Sequence, residues 1–166
     1  MSNVKPNALV WLWMSAAIVI ADQATKWMAT HALDLYQSIA VFPGLNWTLL
    51  HNYGAAFSFL NIPGGAQRWL FSAIAIGISI ALPFWLAKTP RADWRTAAPL
   101  ALIIGGAIGN LIDRLRLGYV VDFIDVYYGD WHFPAFNIAD SAVSVAAVGL
   151  ILFGILAPNP SEEAKP

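Results

Sequence analysis

Four apolar stretches, residues 6–21, 69–87, 97–112 and 141–157, contain no charged side chain. A spanning helix needs about 20 predominantly apolar residues, and in hydrocarbon every backbone N–H and C=O must be satisfied by the segment itself or its neighbours. These stretches therefore predict helices rather than lipid-exposed loops. The first, third and fourth fall slightly short, so their helices complete the crossing through the polar residues at their ends: Asp22, Asp113 with Arg114, and Asp140. The predicted spans are about 6–25, 67–87, 97–116 and 138–157, with connecting segments 26–66 and 117–137, in one integral membrane domain over residues 1–166. Composition agrees, since 58% of the chain is hydrophobic and 11% charged, against roughly 45–50% and about 25% in soluble domains.

Charge position orients the bundle. Lys88, Arg91 and Arg95 occupy the link between the second and third spans, Lys5 precedes the first and Lys165 follows the fourth. Basic residues in short loops stay on the cytoplasmic side, so both termini are expected there and segments 26–66 and 117–137 outside. Trp27, Trp69 and Trp131 near one face, and Trp85 and Trp94 near the other, have the pattern of interfacial belts. The first span read instead as a cleaved signal peptide would strand Asp22 and Lys26 outside the bilayer. Pro83 predicts a kink in the second span, and residues 158–166 read as a short solvated tail.

The outer connections carry strand signals. Leu45-Asn46-Trp47-Thr48-Leu49-Leu50 and Val120-Val121-Asp122-Phe123-Ile124-Asp125-Val126 are rich in β-branched, aromatic and apolar residues, and Gly129-Asp130 is a turn signal before Trp131-His132-Phe133. The expected fold class is a membrane all-α bundle of four transmembrane helices with a small extracytoplasmic β-sheet. No internal repeat is present, so the inverted-repeat pattern of many transporters is missing.

With this topology, Asp22 and Lys26, Asn110 to Arg114, and Asn137 to Asp140 meet at one depth in the outer leaflet. Asp22 and Lys26 share a helix face, as do Asn110 and Arg114. Ionisable groups there are costly unless they pair or face a watery cavity, which makes a functional site the default reading. Asp122, in the short return to the fourth span, can reach Asp140. Two carboxylates around one water form an acid/base pair, because like charges held close cannot both ionise. The ionised member activates water and the protonated member polarises a carbonyl.

These residues also carry a resemblance. Asp22-Gln23-Ala24-Thr25-Lys26, Asn52-Tyr53-Gly54-Ala55-Ala56-Phe57, Gly105-Gly106-Ala107-Ile108-Gly109-Asn110-Leu111-Ile112-Asp113-Arg114, Val121-Asp122-Phe123-Ile124-Asp125 and Phe133-Pro134-Ala135-Phe136-Asn137-Ile138-Ala139-Asp140 resemble, in order, the lipoprotein signal peptidase (signal peptidase II) family. The resemblance implies an aspartic endopeptidase of the bacterial cytoplasmic (inner) membrane. It removes the signal peptide from prolipoproteins on the amino side of a diacylglyceryl-modified cysteine. By that match Asp122 and Asp140 are the catalytic pair, and Asp22, Lys26, Asn52, Gly54, Gly105, Asn110, Arg114, Asn137 and Ala139 bind substrate or support the site. The implied partners are the lipidated prolipoprotein and membrane lipid, with no nucleic acid, no cofactor and no metal, and the protein is expected as a monomer.

Plainer roles stand beside these. Asp22 with Lys26 reads as an ion pair closing a helix end, Asp113 and Asp125 as interfacial partners, and Arg68 and Arg116 as side chains reaching head groups. Gly105, Gly106 and Gly109 with Ala107 form a small-residue stripe for close approach of either substrate or the fourth span. Gly54 to Phe59 read as a loop over the site. His31, His51 and His132 lack metal-ligand spacing. The absence of cysteine excludes thiolate catalysis, and there is no HExxH or Gly-x-Ser-x-Gly motif. Two other classes remain: a small transporter or proton-conducting subunit with Asp22, Asp122 and Asp140 as a relay, and a non-catalytic assembly factor.

Overall fold

The computed structural model describes residues 6–54 and 65–155; Phe57, Phe59, Lys5, Lys165 and residues 158–166 lie outside them. A 3₁₀ turn at Ala8–Trp11 leads into α1 (Leu12–Ala32), followed by β1 (Ser38–Phe42), β2 (Leu45–Asn52), α2 (Ala66–Lys88), α3 (Trp94–Arg116), β3 (Val120–Tyr128), β4 (Trp131–His132) and α4 (Ile138–Ile155). Helix starts follow their capping residues: the Asn7 side chain accepts from Leu9 N at 3.2 Å, and that of Asp93 from Thr96 N at 3.2 Å. The helices α2 and α3 run on through Pro83 and Pro99.

Three helical segments, Ala8–Ala32, Ala66–Lys88 and Trp94–Arg116, are long and apolar enough to cross a membrane; α4 is apolar and shorter within the described residues. Their surfaces invert the soluble pattern. Trp13, Ile20, Phe84, Val145 and Ile151 point outward, while Asp22, Lys26, Asn110 and Asp113 are buried. Such a surface suits a hydrocarbon solvent.

The first helix departs from its predicted end at residue 25 and continues to Ala32. Tertiary packing explains the extension, because Ala29 and Leu33 bury against Leu49, Val121 and Phe123 of the sheet. That sheet has four antiparallel strands in the order β1-β2-β3-β4. The predicted strands around 45–50 and 120–126 become β2 and β3, and the turn at Gly129, with φ +59°, leads to β4. The edge strand β1 is an addition to the sequence reading. All five of its residues are exposed, so it lacks the alternation that marks a half-buried strand.

At the centre of the bundle, α3 packs against α1, α2 and α4. Its glycines decide how closely. A Cβ on Gly105 would lie 2.9 Å from Ser15 O of α1, on Gly106 2.5 Å from Ala139 O of α4, and on Gly109 2.7 Å from Asp22 Oδ2. The stripe thus seats the neighbouring helices. Gly106→Ala is expected to destabilise the protein by about 1–3 kcal/mol, the cost of overpacking, whereas Gly77→Ala, with nothing within 4 Å of the added Cβ, is neutral or stabilising. Thermal unfolding in detergent, followed by tryptophan fluorescence, measures both.

Candidate active site

Asp22 and Lys26, one turn apart on α1, face α3 and the start of α4. The Lys26 ammonium has three donors and no acceptor, and each donor is used: Asp22 Oδ2 at 2.8 Å, Asp113 Oδ2 at 2.8 Å and Asn110 Oδ1 at 2.9 Å. Lys26 is 3% exposed and Asp22 fully buried, so this is no surface ion pair. The other oxygens are also occupied. Asp22 Oδ1 accepts from Ala139 N at 3.0 Å, Asp113 Oδ2 also from Val121 N at 3.1 Å, and Asp113 Oδ1 from Gln23 Nε2 at 2.9 Å. The pair expected to close a helix end instead joins α1, α3, β3 and α4. Asp113, read from sequence as an interfacial partner, is buried within it.

The second layer is built on asparagines. Asn137 precedes α4, accepting from Asp140 N at 3.0 Å through its side chain, while Asp140 Oδ2 accepts from Asn137 N at 3.3 Å. This is the reciprocal geometry of a capping box. The same Asn137 donates through Nδ2 to Asp122 Oδ1 at 2.8 Å. One buried residue therefore ties together the two aspartates that the sequence brought forward, from β3 and α4: its side chain holds the Asp122 carboxylate and the Asp140 N–H, and its main-chain N–H the Asp140 carboxylate. Asn52, at the end of β2, donates to Asp122 Oδ2 at 2.9 Å and accepts from Gly54 N at 3.0 Å. Asn110 donates to Asp140 Oδ1 at 2.7 Å.

A cavity of about 760 Å³ opens beside this layer, between α2, α3, α4 and the segment after β4. Asp140, Asn110, Asn52, Gly54 and Arg114 supply its polar wall; Phe71, Ile74, Ile78, Val143 and Phe136 supply the apolar remainder. Arg114 has its guanidinium 5.2 Å from the centre of the Phe71 ring and donates to Asn110 O at 3.5 Å. Asp122 lies behind Asn52 and is 2% exposed. Burial and the neighbouring Asp140 push its carboxyl up to about 7, against the hydrogen bonds from Asn52 and Asn137 and the charge of Lys26. A group poised there holds a proton at neutral pH and can release it.

Of the other sequence candidates, Gly105 seats Ser15 and Ile18 of α1, while Ala139 contributes its N–H to Asp22. Asp125 forms a separate cluster on the sheet with Asn46, Thr48 and His132. Burial there is outweighed by hydrogen bonds from Asn46 and His132, which hold its carboxyl below the usual range. Arg68, expected at head groups, donates to Leu115 O at 3.0 Å. Among the described residues no group of histidines and carboxylates has the makings of a metal site. Gln23, quoted only within a motif, is a member that sequence reasoning missed. Its signal was a polar amide at the end of an apolar helix, one residue from Asp22.

The family model for signal peptidase (SPase) II matches residues 14–156. A lipoprotein signal peptidase of Acinetobacter baylyi is 53% identical over 147 residues, 89% of this chain and 82% of that one. Another, from Xanthomonas campestris pv. campestris, is 51% identical over 160 residues, 96% of each chain. A solved bacterial membrane enzyme superposes with a TM-score of 0.81 at 33% identity, covering 95% of this chain and 93% of that one; a second gives 0.77 at 34%, covering 90% and 94%. With its apolar helices enclosing a carboxylate-bearing polar layer, the chain is a multi-pass membrane protein and belongs to the signal peptidase II family, the lipoprotein signal peptidases.

Proposed function

We propose that this protein is an aspartic endopeptidase that removes the signal peptide from diacylglyceryl-modified prolipoproteins on the amino side of the lipidated cysteine, with Asp122 and Asp140 as the catalytic pair. The observation that carries the reading is that Asn137 joins the two residues, bonding the Asp122 carboxylate through its side chain and the Asp140 carboxylate through its main-chain N–H, beside a largely apolar cavity that Asp140 lines. Asp140 lies in the first turn of α4, where the helix N-terminus favours negative charge, and accepts from Asn110 and Asn137. It is the ionised member and draws a proton from the attacking water. Asp122 carries the proton that polarises the scissile carbonyl. Arg114 and Asn52, on the same wall, hold substrate backbone carbonyls by their N–H groups.

The apolar wall suits a helical signal peptide entering sideways from lipid. In this reading the chain crosses the inner membrane four times, both termini are cytoplasmic, the sheet is extracytoplasmic and the protein works as a monomer. The relay alternative is weaker, because among the described residues the buried charges gather at one end of the bundle, so no charged path crosses it.

Purified protein in detergent should cleave a diacylglyceryl-modified prolipoprotein and leave the unlipidated form intact. Asp122→Asn and Asp140→Asn should each lower kcat/KM by roughly 10²- to 10⁴-fold, the worth of positioned acid/base groups, in protein that still unfolds cooperatively but at a lower temperature, because the new NH₂ meets a donor where a carboxylate oxygen had accepted. Cleavage by both variants would shift the case to the transporter or assembly-factor readings. Activity should also survive a chelator, since paired carboxylates need no metal.

The pH profile supplies a second check. Losing the proton of the pair ends activity, so the alkaline limb of kcat/KM should fall near the value of about 7 at Asp122. Asn52 donates to Asp122 and stabilises its ionised form. Asn52→Ala removes that donor, Asp122 keeps its proton to higher pH, and the alkaline limb should move upward. A downward shift contradicts Asp122 as the acid.

A further inference from the structure

An asparagine amide can present either its oxygen or its NH₂ to a neighbour, and only the surrounding donors and acceptors decide which. Three asparagines face the aspartate pair, and each has one end bound by a group that can only donate. Asn137 Oδ1 is held by Asp140 N–H at 3.0 Å, and Asn52 Oδ1 by Gly54 N–H at 3.0 Å. For Asn110 the obligatory donor is the Lys26 ammonium at 2.9 Å. Asn137 Nδ2 also reaches Asn110 Oδ1 at 3.2 Å, but its two hydrogens are divided among Asp122 Oδ1, Val121 O and Asn110 Oδ1. Lys26 is thus the main lock on Asn110, and the one lock of the three that belongs to a side chain rather than the backbone.

We infer that Lys26 is a positioning residue that fixes the polarity of the Asn110 amide, so that Asn110 can only donate to Asp140 and the Asp140 carboxylate stays the proton acceptor of the pair. This rests on the reading of Asp122 and Asp140 as the catalytic pair. Without Lys26, the Asn110 amide can turn and offer its oxygen to Asp140. An oxygen facing a carboxylate is tolerated only if Asp140 takes up a proton, which removes the base. The charged groups around this point are Asp22 and Lys26 from α1, Asp113 and Arg114 from α3, Asp122 from β3 and Asp140 itself from α4. Two carboxylates and one ammonium give the Asp22, Lys26 and Asp113 trio a formal charge of −1.

Removing Lys26 alone would leave two buried carboxylates uncompensated, which can unfold the bundle. The test is therefore made in an Asp113→Asn background, where Lys26→Met leaves Asp22 alone and the trio again at −1. Lys26→Met should lower kcat roughly 10- to 100-fold, the worth of a charge-assisted hydrogen bond, with KM changed less than about twofold, a loss confined to the chemical step. The acid limb of the kcat profile should move to higher pH, because Asp140 has lost a donor to its ionised form. With Asn110→Ala added, the Lys26→Met step should cost less than about twofold, since the two then act on one bond. An equal loss with and without Asn110 overturns the inference and assigns Lys26 to charge balance or packing.

Lys26→Gln in the same background keeps an N–H donor without the charge, and should retain the acid limb of its parent. A folded Lys26→Gln variant as inactive as Lys26→Met, or inactive where the Met variant does not fold, also overturns it. Asp122→Asn serves as the reference. If that variant cleaves, the dyad reading fails; if it is inactive while Lys26 and Asn110 act additively, only this inference fails.

Discussion

The ammonium of Lys26 is bound by Asp22, Asp113 and Asn110 in a bundle whose outer surface is hydrocarbon. A charge in such a place is tolerated only with complete pairing, and each of its three donors has an acceptor on α1 or α3. The consequences spread outward from that point. Asp22 spends its second oxygen on the first turn of α4, and Asp113 spends one on the backbone of β3. The strand and the helix that carry Asp122 and Asp140 are thereby docked to the same polar knot. Geometry at the carboxylates is inherited from an ion cluster whose three charged members, Asp22, Lys26 and Asp113, are not among the residues that line the cavity.

Close backbone approach makes this possible. Gly109 leaves room for the Asp22 carboxylate and Gly106 for the start of α4, at separations a methyl group would violate. In lipid there is little hydrophobic gain from bringing helices together, so small residues and buried polar bonds carry the association. The two devices act together here. The glycines admit the helices, and the polar groups they admit tie the helices in place.

Much of this was legible in the residues. The charge-free stretches announced the helices, and the polar residues at their ends announced a layer at one depth, because charge in lipid has to be justified by pairing or function. Strand chemistry around Trp47 and Val121 announced β2 and β3. Three things were not legible. The edge strand β1 has no alternation, the extension of α1 to Ala32 depends on a sheet formed later in the chain, and Asp113 looked interfacial until α1 was laid beside α3. Each is a product of contacts between residues distant in sequence.

The order of apolar and polar segments was therefore settled by the sequence itself, along with the residue types available to the site, since burial in lipid punishes any other arrangement. Tertiary structure decided which oxygen meets which hydrogen. Only packing could give Lys26 three acceptors, divide the Asn137 side chain between Asp122 and the N–H of Asp140, and turn the NH₂ of Asn110 toward Asp140. An amide has two chemically opposite ends of nearly the same shape, and a sequence does not say which way it faces.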